Sequence, residues 1–162
     1  MNIKKLTKLS LMLALSLIFS YVEFLVPLPI SVPGIKLGLA NGVTVYVLYT
    51  YGLREAFSVG FLRIVLSMLL FGNPFSFMFS VTGFLFSIFT MYFIKKTRKF
   101  SIYGVSVSGA VFHNLGQLIM AFLLTSVSGI FYYVSALTLA AIVTGLLNGY
   151  LSNLIIKRVK ND

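Results

Sequence analysis

The chain has 162 residues, of which 59% are hydrophobic and only 10% charged. A soluble domain of this size carries about a quarter charged residues, so the composition excludes a water-soluble fold and makes lipid the solvent. Thirteen basic against three acidic residues give a formal charge of +10, but the excess flanks apolar spans instead of lining a polar face, which excludes nucleic acid and fits an anionic inner leaflet. A bilayer core of about 30 Å needs roughly 20 helical residues. In chain order, the apolar runs predict helices over Thr7–Val26, Ile35–Tyr51, Glu55–Phe71, Phe75–Ile94, Ile102–Thr125 and Phe131–Ile156. The runs are continuous and do not alternate, which argues against a barrel.

The first segment has the basic start of a signal peptide, but its apolar run is long and Val26-Pro27 lacks a small-residue cleavage pattern. A retained first helix is expected. Pro27, Pro29, Pro33 and Gly34 break the chain after it, Gly72-Asn73-Pro74 separates the third and fourth segments, and Ser126 to Gly129 the fifth and sixth. Eleven of the thirteen basic residues form four clusters: Lys4, Lys5 and Lys8; Arg54; Lys95, Lys96, Arg98 and Lys99; and Lys157, Arg158 and Lys160. Six spans put all four on one face, the cytoplasmic one. The expected fold is an all-α integral membrane protein, a single domain over residues 1–162 with six transmembrane helices and both termini cytoplasmic.

Small residues mark close helix approaches: Gly38 and Gly42 on the second segment, Ala141, Gly145 and Gly149 on the sixth, and Ser10, Ala14, Ser16 and Ser20 on the first. They serve contacts inside the bundle or docking of a second membrane subunit, for which the first helix is the best candidate.

Two cations stand outside the clusters. Arg63 falls mid-helix, where insertion costs at least about 2.5–3.5 kcal/mol, so it needs a partner or an aqueous cavity. It either pairs with Glu23 or meets an anionic ligand. Lys36, after the Pro-rich stretch, is either a snorkelling anchor or a cationic gate. The fifth segment carries the single histidine, His113, with Gln117 four residues on and Asn114 beside it. These residues bond between helices or contact a ligand. One histidine with no neighbouring carboxylate or cysteine is a poor metal site and a poor hydrolytic centre. Asn41, and Asn73 with Ser76 and Ser80, add uncharged polar groups, and polar groups converging among apolar walls make a small-molecule site. Asn148 reads as a packing contact beside Gly145 and Gly149. The chain has no cysteine, hence no disulfide or thiolate chemistry, and no phosphate-binding G-x-x-x-x-G-K-[ST] loop.

Three strings carry a family resemblance: Gly34-Ile35-Lys36-Leu37-Gly38-Leu39-Ala40-Asn41, Phe71-Gly72-Asn73-Pro74-Phe75-Ser76-Phe77, and Gly109-Ala110-Val111-Phe112-His113-Asn114-Leu115-Gly116-Gln117. Together they resemble the Gx transporter family, also called heptaprenyl diphosphate synthase component I. That family is similar to the substrate-binding S components of energy-coupling factor transporters. These are six-helix proteins of the bacterial cytoplasmic membrane that bind vitamins from the outer side and pair with a coupling subunit and two ATPases. The resemblance implies a membrane-embedded binder without cofactor or metal. Its pocket residues would be Lys36, Asn41, Arg63, Asn73, His113, Asn114 and Gln117. The second family name implies instead a non-catalytic membrane component supporting polyprenyl diphosphate synthesis. The acids Glu23, Glu55 and Asp162 are too scattered for the paired aspartate-rich magnesium sites of a prenyl synthase. A scaffold role in another membrane complex is the third reading.

Overall fold

The computed structural model describes residues 3–25 and 38–161. They form six α-helices: α1 (Ile3–Leu25), α2 (Asn41–Thr50), α3 (Leu53–Leu70), α4 (Pro74–Thr97), α5 (Ile102–Thr125) and α6 (Val134–Asn161). A 3-10 helix, Ser128–Tyr133, leads into α6, so the first turn expected of the sixth helix is wound more tightly. Lys36 and the Pro-rich stretch lie outside the described residues.

Local chemistry sets the ends. Asn73 caps α4, its Oδ1 accepting from the Ser76 N–H at 2.8 Å, and Pro74 follows at the first helical position, where a missing N–H costs nothing. Ser101 caps α5 in the same way through the Gly104 N–H. Gly52, at φ +102°, supplies the left-handed link between α2 and α3.

The distribution of side chains is inside-out relative to a soluble protein. Arg63, His113, Asn114, Gln117 and Asn148 are buried, while Leu69, Phe93, Leu123, Leu139 and Val143 face outward. Four described stretches are long and apolar enough to cross a membrane: α1, α4, α5 and Ser128–Arg158. This is an all-helical, multi-pass membrane protein. The other two expected spans differ in kind. α3 has 18 residues and carries Arg54, Glu55 and Arg63. α2 has only 10 residues, about 15 Å of helix, half a bilayer core. Of the helix expected from Ile35, the described part is corrected: Gly38 has φ +82° and a turn precedes Asn41, where the described helix begins, and Ile35 to Leu37 lie outside the described residues.

α2 is the axial element. It packs against each of the other five helices, while α3, α4, α5 and α6 follow one another around it and α1 lies against α3. Its residues Val43 to Leu48 are all buried. Contacts also gather the basic clusters at one end of the bundle. Lys5 pairs with Glu55, Lys95 Nζ donates to the Leu48 carbonyl at 2.6 Å and lies 4.7 Å from the Tyr49 ring centroid, and Asn153 Nδ2 donates to the Tyr103 hydroxyl at 3.0 Å.

Small residues let helix backbones touch. A Cβ on Gly116 would lie 2.8 Å from the Thr82 carbonyl oxygen and 3.0 Å from Gly83 Cα, and one on Gly145 would lie 2.6 Å from Val107 Cα. On α1 the small residues divide between two faces. Ser16 and Ser20 are buried, whereas Ser10 and Ala14 are exposed. Gly116→Val is expected to destabilise the bundle by about 1–3 kcal/mol through overpacking, read as a lower thermal midpoint in detergent. Gly129→Ala, where the nearest atom would be 3.8 Å away, should leave the midpoint within a degree or two of the parent.

Candidate functional site

The turn before α2 sits at the level of mid-helix residues. Gly38 neighbours His113, halfway along α5, and Gly42 neighbours Asn148, halfway along α6. α2 therefore starts inside the bundle, where its first backbone amides have no water to bond, and the Asn41 and Gly42 N–H groups donate to the Gly38 and Leu39 carbonyls at 3.0 Å. Side chains from two other helices add further bonds to this turn. Glu23 Oε1 of α1 accepts from the Leu39 N–H at 2.6 Å. Asn148 Nδ2 of α6 donates to the Gly38 carbonyl at 3.0 Å, and Ser152 Oγ to the Gly42 carbonyl at 2.8 Å. A carboxylate at this position also complements the positive end of the helix dipole.

His113 lies against α4 where Gly83 leaves room, since a Cβ there would be 2.9 Å from the ring. Gln117 Nε2 donates to His113 Nε2 at 3.1 Å, one turn apart on α5. Asn114 Nδ2 donates to the Leu137 carbonyl of α6 at 2.9 Å, leaving its Oδ1 without a hydrogen bond among the described residues. Asn41, 3% exposed, has neither Oδ1 nor Nδ2 bonded there, and its Nδ2 is the nearest atom to the open side of Gly38. Thus Asn41 and His113 adjoin one glycine, with Gln117 bonded to the imidazole.

Arg63 is 6% exposed. Its Nη1 donates to Ser20 Oγ at 3.2 Å, while Nε and Nη2 have no hydrogen bond among the described residues. No Arg63 nitrogen bonds Glu23, so the expected direct pair is absent. The two remain within electrostatic reach, one turn of α1 separating Ser20 from Glu23. Ser67, four residues along α3 from Arg63, is buried with its hydroxyl likewise unbonded. Arg63, Ser20, Glu23, Leu39 and Gly38 therefore form a continuous chain of polar groups and backbone from α3 to the turn beside His113.

Of the residues expected in a pocket, Asn41, His113, Asn114 and Gln117 are buried in the α2–α5–α6 core, with Arg63 joined to them through α1. Asn73 stands apart, exposed and occupied as the α4 cap, and Lys36 lies outside the described residues. Ser20, Ser67, Asn148 and Ser152 were not singled out for the site. The signal for the two serines was helical spacing, three residues before Glu23 and four after Arg63. Asn148 is more than a packing contact, because it bonds a backbone carbonyl 110 residues away.

The family model for heptaprenyl diphosphate synthase component I matches residues 12–155. The chain belongs to that family. Neither a curated protein nor a solved structure matches it. In this member of the component I family, Asn41, Arg63, His113 and Gln117 all fall within the matched span.

A Cβ on Gly42 would lie 2.9 Å from Asn148 Oδ1, and the Asn148 amide cannot turn away without giving up Gly38. Asn148→Ala is expected to cost about 0.5–1.5 kcal/mol by removing one of the two hydrogen bonds to the Gly38 carbonyl, which keeps the Asn41 N–H at 3.0 Å. Gly42→Ala should destabilise the parent yet be tolerated in the Asn148→Ala background. Additive midpoint shifts in this double-mutant cycle would separate the two positions.

Proposed function

We propose that this chain is the substrate-binding integral membrane subunit of a small-molecule uptake system, similar to the S components of energy-coupling factor transporters. In this reading six segments cross the bacterial cytoplasmic membrane. Both termini and the basic end face the cytoplasm, following the excess of Lys and Arg there. The ligand has an anionic or strongly polar head and enters from the outer face. It meets Arg63, Asn41, His113, Asn114 and Gln117, with Lys36 beside the entrance. Energy comes from partners, a membrane coupling subunit with ATPases; the chain itself binds rather than catalyses.

The observation that carries this reading is the Arg63 guanidinium, buried among helices with two of its three nitrogens unbonded among the described residues. Burying a cation without full compensation is costly, and intramembrane ionisable groups mark ligand or ion pathways. Binding proteins accept such a cost because an incoming anion removes it. Asn41 and Asn114, with unbonded polar atoms nearby, supply the uncharged groups that orient a ligand.

The family name favours a second reading, a membrane component that supports heptaprenyl diphosphate synthesis. There the same site would hold a prenyl diphosphate for a catalytic partner. Reconstitution of a prenyl synthase with and without this chain distinguishes the two, since product length and rate respond to it only in the second case.

Arg63→Met, close in volume, is expected to stay in the membrane with its thermal midpoint within a few degrees of the parent, because a poorly compensated buried charge adds little stability. Native mass spectrometry of the parent purified in mild detergent should show a co-purified small anion, reduced at least tenfold in Arg63→Met. Equal retention in both would remove Arg63 from the site. A collapse of the midpoint by the equivalent of about 3–5 kcal/mol would make it a structural ion partner instead.

A further inference from the structure

A cavity lies at the basic end between α1 and α3. It is a groove of about 560 Å³, with Lys5 and Arg54 at one end and Leu9, Leu13, Val59 and Leu62 along its length. The two helices run in the same direction. Lys5 bridges to Glu55 near their starts, and Ser20 meets Arg63 farther along. The groove occupies the interval between these contacts. From Lys5 to Leu13 it follows about 12 Å of helix.

Charge and polarity are graded along this length. Glu55 is already held by Lys5, and Arg54 is exposed, with no side-chain partner among the described residues. Lys8, one turn from Lys5, adds a further exposed cation. The mouth is therefore net positive. Beyond it Ser10 and Ser58 are the only hydroxyl-bearing lining residues, and the remaining walls are aliphatic. A sugar or a nucleotide would find only these two hydroxyls inside, too few to replace its hydration. A peptide would leave its backbone unbonded against leucine. An amphiphile with a phosphate at one end and a hydrocarbon chain at the other matches both parts, and clustered Lys and Arg beside a membrane helix attract such head groups.

We propose that the α1–α3 groove is a binding site for one anionic phospholipid, its phosphate between Arg54 and Lys5 and one acyl chain lying along Leu9, Leu13 and Leu62. The site is separate from the Arg63 and His113 region and does not depend on what that region binds. Occupancy would join α1 to α3 at the end where Lys5–Glu55 is their polar link, so this lipid acts as a third strand between the two helices.

The test uses the full-length protein in mild detergent, titrated with phosphatidylglycerol or with phosphatidylcholine of the same acyl chains, and read by native mass spectrometry. The parent should retain one phosphatidylglycerol per chain, at least tenfold more readily than phosphatidylcholine. Arg54→Gln should lower that retention about tenfold. Ser58→Phe, which fills the groove below the head group, should do the same. Lys99→Gln, at the basic end but away from the groove, should match the parent. Equal retention of the two lipids, or an equal loss in Lys99→Gln, would overturn the proposal by reducing it to general attraction. Displacement by millimolar inorganic phosphate would overturn it by showing an anion site with no tail. A photo-cross-linker at position 58 that captures a protein chain in native membranes would overturn it in favour of a subunit contact.

Discussion

The fold depends on one constraint: a helix starts in the interior of a lipid-immersed bundle, and its first amides must still be bonded. Water is not present in a bilayer core to do this, and each unsatisfied group costs several kcal/mol. The protein answers with side chains from α1 and α6. Glu23 takes the Leu39 N–H, Asn148 serves the Gly38 carbonyl and Ser152 that of Gly42. These bonds fix where α2 begins, and α2 in turn packs against every other helix. Glycine at 38 supplies the positive φ that the turn needs, and glycine at 42 supplies the space for Asn148.

The same arrangement creates the candidate site. Because α2 starts at mid-depth, Asn41 lies inside the bundle next to His113. The α1 carboxylate then gives one oxygen to the turn while lying within electrostatic reach of Arg63. The guanidinium keeps one bond, to Ser20, together with the longer-range field of Glu23. In the proposed reading this partial pairing has a purpose: a fully paired arginine would suit a scaffold, and a partly paired one suits a protein that binds an anion. Gly83 and Gly116 hold α4 and α5 at close range, so His113 and Gln117 are positioned by backbone contact and not by flexible side chains.

The two ends of the molecule have different chemistry. The basic end binds its own helices together through Lys5–Glu55 and Lys95–Leu48 and offers the α1–α3 groove to the membrane. Mid-bundle, polar groups are buried and directed inward. The two proposed sites, for a polar guest at the centre and an anionic lipid at the rim, share no residues.

Much of this was legible in the chain. Continuous apolar runs, turn residues at Gly72-Asn73-Pro74 and clustered basic residues suffice to identify an all-helical membrane protein, and the limits of α5 can be read directly from Ile102 and Thr125. Isolation among apolar neighbours was enough to single out Arg63 and His113, because burying such groups is too costly to be incidental. The length of α2 was not legible. Ile35 to Tyr51 is mostly apolar, and nothing in its periodicity shows a turn from Gly38 to Ala40, since Glu23 and Asn148, which bond that turn, come from distant helices. Nor could spacing reveal that Asn73 is occupied as a cap, that Glu23 serves a backbone amide, or that α1 and α3 leave a groove beneath Lys5 and Arg54. Composition and local turn chemistry decide which segments enter the lipid. Which polar groups find partners there is decided only when distant helices pack, because a hydrogen bond depends on placement to within a few tenths of an ångström.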